Sequence, residues 1–346
     1  MSIESLANDA VAFSVPLSIQ FRSLQNRQGA LIKGPNGWGE FAPFLDYDDE
    51  IAGRWLAGAL ELAFGTLPKL QRTEVPVNAI IPATDEMTAY ELVEKAVQRS
   101  GISTIKVKVA QAGQNLADDI ARVRAVRSAL SANQIANGKI RLDVNGAWTT
   151  DQAIHDLRLL VDAANGLEYV EQPCTTLAEL TELRKVIDIP IAIDEGLRLS
   201  SDLDLLAIRD AADLIIVKSL PLGGVVQSLR LIDRIDLPVV VSGSMDTSVG
   251  LASSLFLAGS ATELYGACGV GTGTLLALDL VHITELPENG AMSVVRTPPE
   301  PDCLAVAHAL TSEETREVWR ERIVRAWYAS AQHLVAPEVK HAVLSC

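Results

Sequence analysis

The chain has 346 residues, a formal charge of −15 and a hydrophobic fraction of 48%. That length supports a large core and more than one domain, and the acidity argues against a nucleic-acid partner, which requires clustered Lys and Arg. Aromatics are few while Ala, Leu and Val abound, a balance suited to helices alternating with buried parallel strands.

The opening "MSIESLANDAVAF" carries two acids and no basic run, so it does not read as a secretory signal. Residues 1–75 combine the strand-like "FSVPLSIQF" and "GALIKGPNGWGEFAPF" with the helical "DDEIAGRWLAGALELAFG", predicting a small α+β domain. Between the strand-like runs lies "FRSLQNRQG", read as a polar loop that holds Arg22 and Arg27.

From residue 76 to 285 the rhythm changes. The runs "VPVNAIIPA", "STIKVKVA", "IRLDVNG", "GLEYVEQP", "PIAIDEG", "ADLIIVKSL", "LPVVVSGS" and "ELYGACGVG" read as strands separated by amphipathic helices. In 86–100, for example, Ala89, Leu92, Val93, Ala96 and Val97 keep helical spacing. Eight strands alternating with helices over roughly 210 residues predict an α/β fold, a (β/α)8-type barrel. A doubly wound sheet is the alternative, and no GxGxxG follows the first strand. The most apolar stretch, "TSVGLASSLFLAGSAT" at 247–262, is short for a membrane span and predicts a core helix and no membrane association. Residues 286–346 hold "VRTPPEPD" and then the helical "SEETREVWRERIVRAWYASAQHL", expected to return to the N-terminal domain. Cys174, Cys268, Cys303 and Cys346 are widely spaced with no CxxC pair, which fits reduced thiols in a cytoplasmic protein.

Barrel enzymes carry their chemistry at the C-terminal ends of strands. Here the second strand ends in Lys106 and Lys108, the third in Asp143 and Asn145, the fourth in Glu171, the fifth in Asp194 and Glu195, and the sixth in Lys218. Alternate residues of a strand share a face, so Lys106 and Lys108 point the same way. Any one such charge is commonly a solvated cap or a salt bridge; five strands in succession form a pattern. Asp143, Glu171 and Asp194 would converge as three carboxylates, an arrangement that repulsion and burial oppose. A hard divalent cation with all-oxygen ligands, Mg2+, relieves it, whereas the histidines avoid these strand ends and argue against a zinc site. A metal that holds a substrate carboxylate acidifies the neighbouring C–H, and a lysine beside a second cation loses its proton more easily, which suits it as a base.

The ordered set "KVK" at 106–108, "LDVNGAW" at 142–148, "VEQP" at 170–173, "AIDEG" at 192–196 and "VKSLPLGG" at 217–224 resembles the muconate-lactonizing branch of the enolase superfamily over nearly the whole chain. The resemblance implies a (β/α)7β barrel under a cap built from both chain termini. It also implies Mg2+ (with Mn2+ as a substitute) on Asp143, Glu171 and Asp194, Lys108 and Lys218 on opposite faces of a small-molecule carboxylate substrate, and Lys106, Asn145 and Glu195 in support. Within the branch, "GWGEFAPFLDYDDE", "VVVSGSMDTSVGLASSL" and "ACGVGTGTLLALD" are most similar to the o-succinylbenzoate synthase family of menaquinone biosynthesis. That likeness implies a β-elimination of water in which Lys108 serves as base and then acid. It also leads us to expect substrate contacts from Arg22 or Arg27 in the cap, from Ser242, Gly243 and Ser244 at the seventh strand, and from Gly271, Thr272 and Gly273 at the eighth. Racemases of N-acylamino acids, dipeptide epimerases and muconate cycloisomerases share the lysine–acid set and stay open as alternatives. So does a non-catalytic barrel that binds an acidic metabolite.

Overall fold

The computed structural model describes all residues except 1, 22–23, 200–203, 283–285, 296 and 346. An antiparallel sheet comes first: β1 (Val11–Phe21), β2 (Leu24–Gly34) and β3 (Gly37–Phe41), in that order. Helix Asp49–Phe64 follows. Asp48 caps it by accepting from the Ile51 N–H at 2.8 Å, and Asp49 and Glu50 sit in the first turn, where the helix dipole favours negative charge. Its apolar face buries Trp55, Leu56 and Leu60 in one cluster with Phe41, Trp319, Ile323, Trp327, Val339 and Val343. The C-terminal helices therefore pack on this N-terminal unit. Phe41 meets Trp319 edge to face with 5.8 Å between centroids. Gly39 lets β3 lie directly on the helix, since a Cβ there would collide with the Ala59 carbonyl.

After β4 (Glu74–Pro76), the strands β5 (Ala79–Ile81), β6 (Thr104–Lys108), β7 (Lys139–Asp143), β8 (Tyr169–Glu171), β9 (Ile191–Ile193), β10 (Leu214–Val217) and β11 (Val239–Val241) form one parallel sheet in sequential order. The segment 265–270 joins its two edges. The Gly269 N–H donates to Val241 O at 2.8 Å on one side, and the Cys268 N–H donates to Pro76 O at 2.7 Å on the other, with Asn78 N–H returning to Cys268 O at 2.9 Å. The sheet thus curls round to an eighth stave, and the doubly wound alternative is excluded. The first strand-like run, 75–83, divides: its upper part is β5, while β4 pairs antiparallel with β12 (Ala291–Ser293) below the barrel. Backbone groups that project past a barrel need partners of their own, and β12 supplies them.

The alternation in β6 explains its sequence. Ile105 and Val107 enter the core shared with the surrounding helices, while Lys106 and Lys108 face inward, yet the whole strand is buried. Below the lysines the interior is filled by Tyr169, Ala192, Leu214, Ile216 and Val240. Beside them is the fully buried Arg141, held by Glu168 at 2.6 Å, the Ala267 carbonyl at 2.7 Å and Asn78 at 3.1 Å. The barrel has a packed floor, so an open cavity can exist only at the strand C-termini. The apolar stretch forms helix Ser248–Ser260, buried along its whole length. Among the described residues no helix is long and apolar enough to cross a membrane, and Cys174, Cys268 and Cys303 are free.

Candidate active site

The register of the parallel ladder brings the charged strand ends together. Lys108 pairs with Asp143 across β6–β7, and Asp143 with Glu171 across β7–β8. Lys106 Nζ lies 3.0 and 3.1 Å from the two Glu171 oxygens and 3.0 Å from Asp143 Oδ2. Lys108 Nζ donates to Asp143 Oδ2 at 2.7 Å and to Asn145 Oδ1 at 2.5 Å. Lys218 Nζ lies 2.5 Å from Asp194 Oδ2. Asn145, with φ of +52°, turns its amide to donate to Glu195 Oε1 at 3.1 Å. Gln172 is buried behind this belt, and its Oε1 accepts from the Asp194 and Gly196 N–H groups at 3.0 and 3.1 Å, fixing the turn that carries Asp194.

The electrostatics distinguish the two lysines of β6. Burial alone would lower both. At Lys106 the carboxylates Asp143 and Glu171 overcome it and hold the ammonium well above its ordinary range. At Lys108 burial prevails over Asp143, with repulsion from Lys106 adding to it, so its pKa is lowered. Burial would raise Asp143, but Lys106 and Lys108 hold it below the usual carboxylate range. Asp194 is likewise held down, against burial, by Arg198 and Lys218. Glu171 is pushed up to about 7 by burial and by Asp143, against Lys106.

Above the belt opens a narrow cavity of about 50 Å3. Of the sequence-predicted residues, Lys106, Lys108, Asp143, Asn145, Glu195, Lys218, Ser242, Gly243, Ser244, Gly271 and Thr272 line it. Glu171 and Asp194 lie just behind, 0% and 1% exposed. Gly273 sits one residue past the lining, in the turn Gly271–Leu275. Arg22 falls outside the described residues. Arg27 is not in a loop: it belongs to β2, opposite Val15 of β1, and does not line the cavity. Its guanidinium donates to the carbonyls of Met245 (3.1 Å), Gln28 (3.3 Å) and Ala42, and lies over the rings of Phe44 and Trp55. An arginine placed on those carbonyls braces the cavity wall from behind.

Other lining residues were not evident from the sequence. Phe44 and Trp55 come from the cap, Ile80 from β5 and Met245 from the loop after β11. Arg198 also lines the cavity; it grips Asp194 at 2.9 Å, Glu195 at 2.7 Å and the Tyr47 hydroxyl of the cap at 2.7 Å. Its position four residues after Asp194, on helix Glu195–Arg198, is the signal that could have revealed it.

Among the described residues no group of three or more His, Cys, Asp or Glu side chains is arranged to hold a metal ion. The reason is visible in the pairing: lysine and arginine groups neutralise the carboxylates, four cations (Lys106, Lys108, Lys218, Arg198) against four acids (Asp143, Glu171, Asp194, Glu195). The donor chemistry nevertheless suits a hard cation. Among the described residues, buried Asp143 Oδ1 has no hydrogen-bond partner, and two further buried carboxylates stand at the ends of the next two strands. Among the described residues, two buried donors at the cavity also have no partner, Trp55 Nε1 and Thr272 Oγ1.

Known proteins agree with this architecture. Residues 88–298 match the family described as enolase C-terminal domain-like, and residues 12–63 the one described as enolase N-terminal domain-like. The chain is 40% identical over 327 residues to the o-succinylbenzoate synthase of Mycobacterium tuberculosis, covering 94% of this chain and 96% of that one. Its fold is similar to the muconate lactonizing enzyme of Pseudomonas putida, with a TM-score of 0.72 at 16% identity over 88% of this chain and 98% of the other. It is also similar to an N-succinyl Arg/Lys racemase of Bacillus cereus, with a TM-score of 0.69 at 18% identity over 88% and 97%.

Proposed function

The chain belongs to the enolase superfamily, and from that premise we propose that it catalyses the o-succinylbenzoate synthase reaction. In this reaction 2-succinyl-6-hydroxy-2,4-cyclohexadiene-1-carboxylate loses water and becomes the aromatic 2-succinylbenzoate. The observation that carries the reading is the placement of Lys108 and Lys218. They end the second and sixth staves of an eight-stave barrel, half a turn apart, and line one cavity across a belt of carboxylates. The identity to curated synthases over nearly the whole chain supports this reaction over others of the superfamily.

Lys108 is the base. Asn145 and Asp143 orient its Nζ, and its lowered pKa increases the fraction of free amine near neutrality. It takes the proton on the ring carbon that bears the carboxylate. The electron pair of that C–H bond becomes a ring double bond as the hydroxyl departs, and the Lys108 ammonium returns its proton to the hydroxyl, which leaves as water. Lys218 remains charged on the opposite face and stabilises the negative charge that develops on the substrate carboxylate and ring. A divalent cation, Mg2+ or Mn2+, held by Asp143, Glu171 and Asp194, would supply the Lewis acidity that stabilises the same carboxylate. With Lys108 as free amine, Lys106, Lys218 and Arg198 face four acids, and the added dication leaves a net positive site that suits an anionic substrate. Phe44, Trp55 and Met245 form a wall for the ring.

The test is to mix purified protein, Mg2+ and the cyclohexadiene substrate and follow aromatisation optically, with a chelated control. Turnover abolished by chelation and restored by Mg2+ supports the reading. No aromatisation, together with α-proton exchange on N-succinyl amino acids, would replace it with two-base racemisation by Lys108 and Lys218.

A further inference from the structure

Two glutamates of the cap reach across to the barrel in the same way. Glu40 of β3 is fully buried, and its carboxylate accepts from the Gly250 N–H at 3.0 Å, the Thr247 N–H at 3.2 Å and the Thr247 hydroxyl at 2.5 Å. These donors are the N-terminus of helix Ser248–Ser260, where Asp279 takes the Ser248 N–H at 3.1 Å. Glu61, near the end of helix Asp49–Phe64, accepts from the Val225 and Val226 N–H groups at 2.5 and 3.1 Å. They open helix Val225–Ile235, whose N-cap is Gly224 and so has no side chain to cap it. Each glutamate satisfies N–H groups that have no acceptor within their own helix, at the positive end of the dipole.

The barrel is shaped to admit both. A Cβ on Gly250 would lie 2.8 Å from the Glu40 Cδ, and one on Gly224 would overlap the Glu61 carboxylate. The two helices begin where two cavity loops end. Residues 218–224 run from Lys218 to the Glu61 contact, and residues 242–247 carry Ser242, Gly243, Ser244 and Met245 to the Glu40 contact. Arg27 holds the Met245 carbonyl from the same cap sheet, and Ser219 of the first loop meets Ser253 of helix Ser248–Ser260 at 2.7 Å between hydroxyls. Met245 sits at φ of +62°, a conformation that needs outside support.

We propose that Glu40 and Glu61 are positioning residues: cap carboxylates that anchor two neighbouring barrel helices and thereby set the loop bearing Lys218 and the wall formed by Ser242–Met245. The kinetic part of this inference rests on the proposed reaction; the structural part does not. The cap then does more than cover the cavity. It holds one flank of it in register, and substitutions at the cap–barrel seam alter substrate discrimination without touching substrate.

The experiment combines hydrogen exchange with kinetics on the full chain. Glu40→Ala should speed amide exchange in 242–251 by about tenfold or more, and Glu61→Ala in 218–228, with the far side of the barrel unchanged. Glu40→Ala should act mainly on KM, because it loosens the wall, and Glu61→Ala mainly on kcat, because it loosens Lys218. Glu40→Gln and Glu61→Gln, which keep an acceptor oxygen, should recover most of both effects. Gly250→Ala should impair the otherwise unchanged protein and cost clearly less in the Glu40→Ala background, where the Glu40 contacts are gone and only the Asp246 Cβ, 3.0 Å away, still crowds the new methyl. Unchanged local exchange, a uniform rise across the barrel, additive costs at Glu40 and Gly250, or faster local exchange with unchanged kinetic constants would each overturn the proposal. If the parent protein fails to aromatise the cyclohexadiene, the reaction is wrong, and the exchange and Gly250 arms still decide the anchoring.

Discussion

On one side of the cavity, β6 to β10 present Lys108, Asp143, Glu171, Asp194 and Lys218, every one charged and every one within two residues of a strand. On the other side, Ser242–Met245, Gly271 and Thr272, with Phe44 and Trp55 of the cap, present no charge at all. The charged side is set by the backbone ladder, whose β6–β7 register places Lys108 beside Asp143. The neutral side is held by side chains that cross from cap to barrel, Arg27 on Met245 and Glu40 on Thr247 and Gly250. The chemistry is thus built into the stiffest part of the fold. Selectivity is assigned to a seam between two units, where changes cost less.

The largest effect should come from the charged side. Lys108→Ala is expected to lower turnover by about 10^2- to 10^4-fold while leaving the melting temperature and metal binding nearly intact. A variant that retains turnover within tenfold would falsify the assignment of Lys108 as base. Arg198→Ala should come next, because it removes the group that orients Asp194. Calorimetric titration with Mg2+ should show affinity weakened by about 10- to 100-fold, whereas unchanged or tighter binding would mean that Arg198 only neutralises charge. Lys106→Met should reduce turnover less than Lys108→Met. By removing a like charge, it should also move the acidic limb of the kcat/KM profile upward. Equal losses with an unmoved limb would erase the distinction between the two lysines.

The smallest effect concerns the seam. Burial, and then Asp246, push Glu40 up to about 8, and burial pushes Glu61 up to about 7, from an ordinary value of 4.5 in each case. A carboxyl whose folded pKa is raised binds more protons folded than unfolded. Its contribution is therefore fully present below pH 4.5 and is lost as pH rises through 7 and 8. The melting temperature should fall between pH 5 and pH 8.5 by a few degrees, and Glu40→Gln with Glu61→Gln should make that slope shallower, leaving the share of Glu171, which is also pushed up to about 7. An undiminished slope would assign the titration elsewhere.

The two sides also differ in how far they can be read without a structure. The lysines and acids are legible because a strand has a period of two and a barrel gathers strand ends, so "KVK" and "LDVN" already imply one shared face. Arg27 shows the limit. In "FRSLQNRQG" it reads as a loop residue free to reach substrate, yet pairing with β1 turns it into a buried strut. Trp55 and Phe44 look like ordinary core residues in sequence and become cavity wall only because the cap docks where it does. Glu40 and Glu61 give no signal either. Their acceptors find N–H groups 207 and 164 residues away, and no local pattern encodes such a distance.

The sequence by itself determined the barrel, the core helix at 247–262 and the order of lysine and acid residues around the mouth, since all of these follow from local periodicity and the parallel ladder. Only the tertiary structure decided that the neutralising cations include Arg198, that Arg27 braces the wall rather than facing the cavity, and that two cap carboxylates meet the helices that follow the Lys218 loop and the neutral wall. The reason is physical: a hydrophobic period is repeated many times along a chain, whereas a single buried carboxylate meeting a helix end is one contact between surfaces that the chain brings together only when it closes.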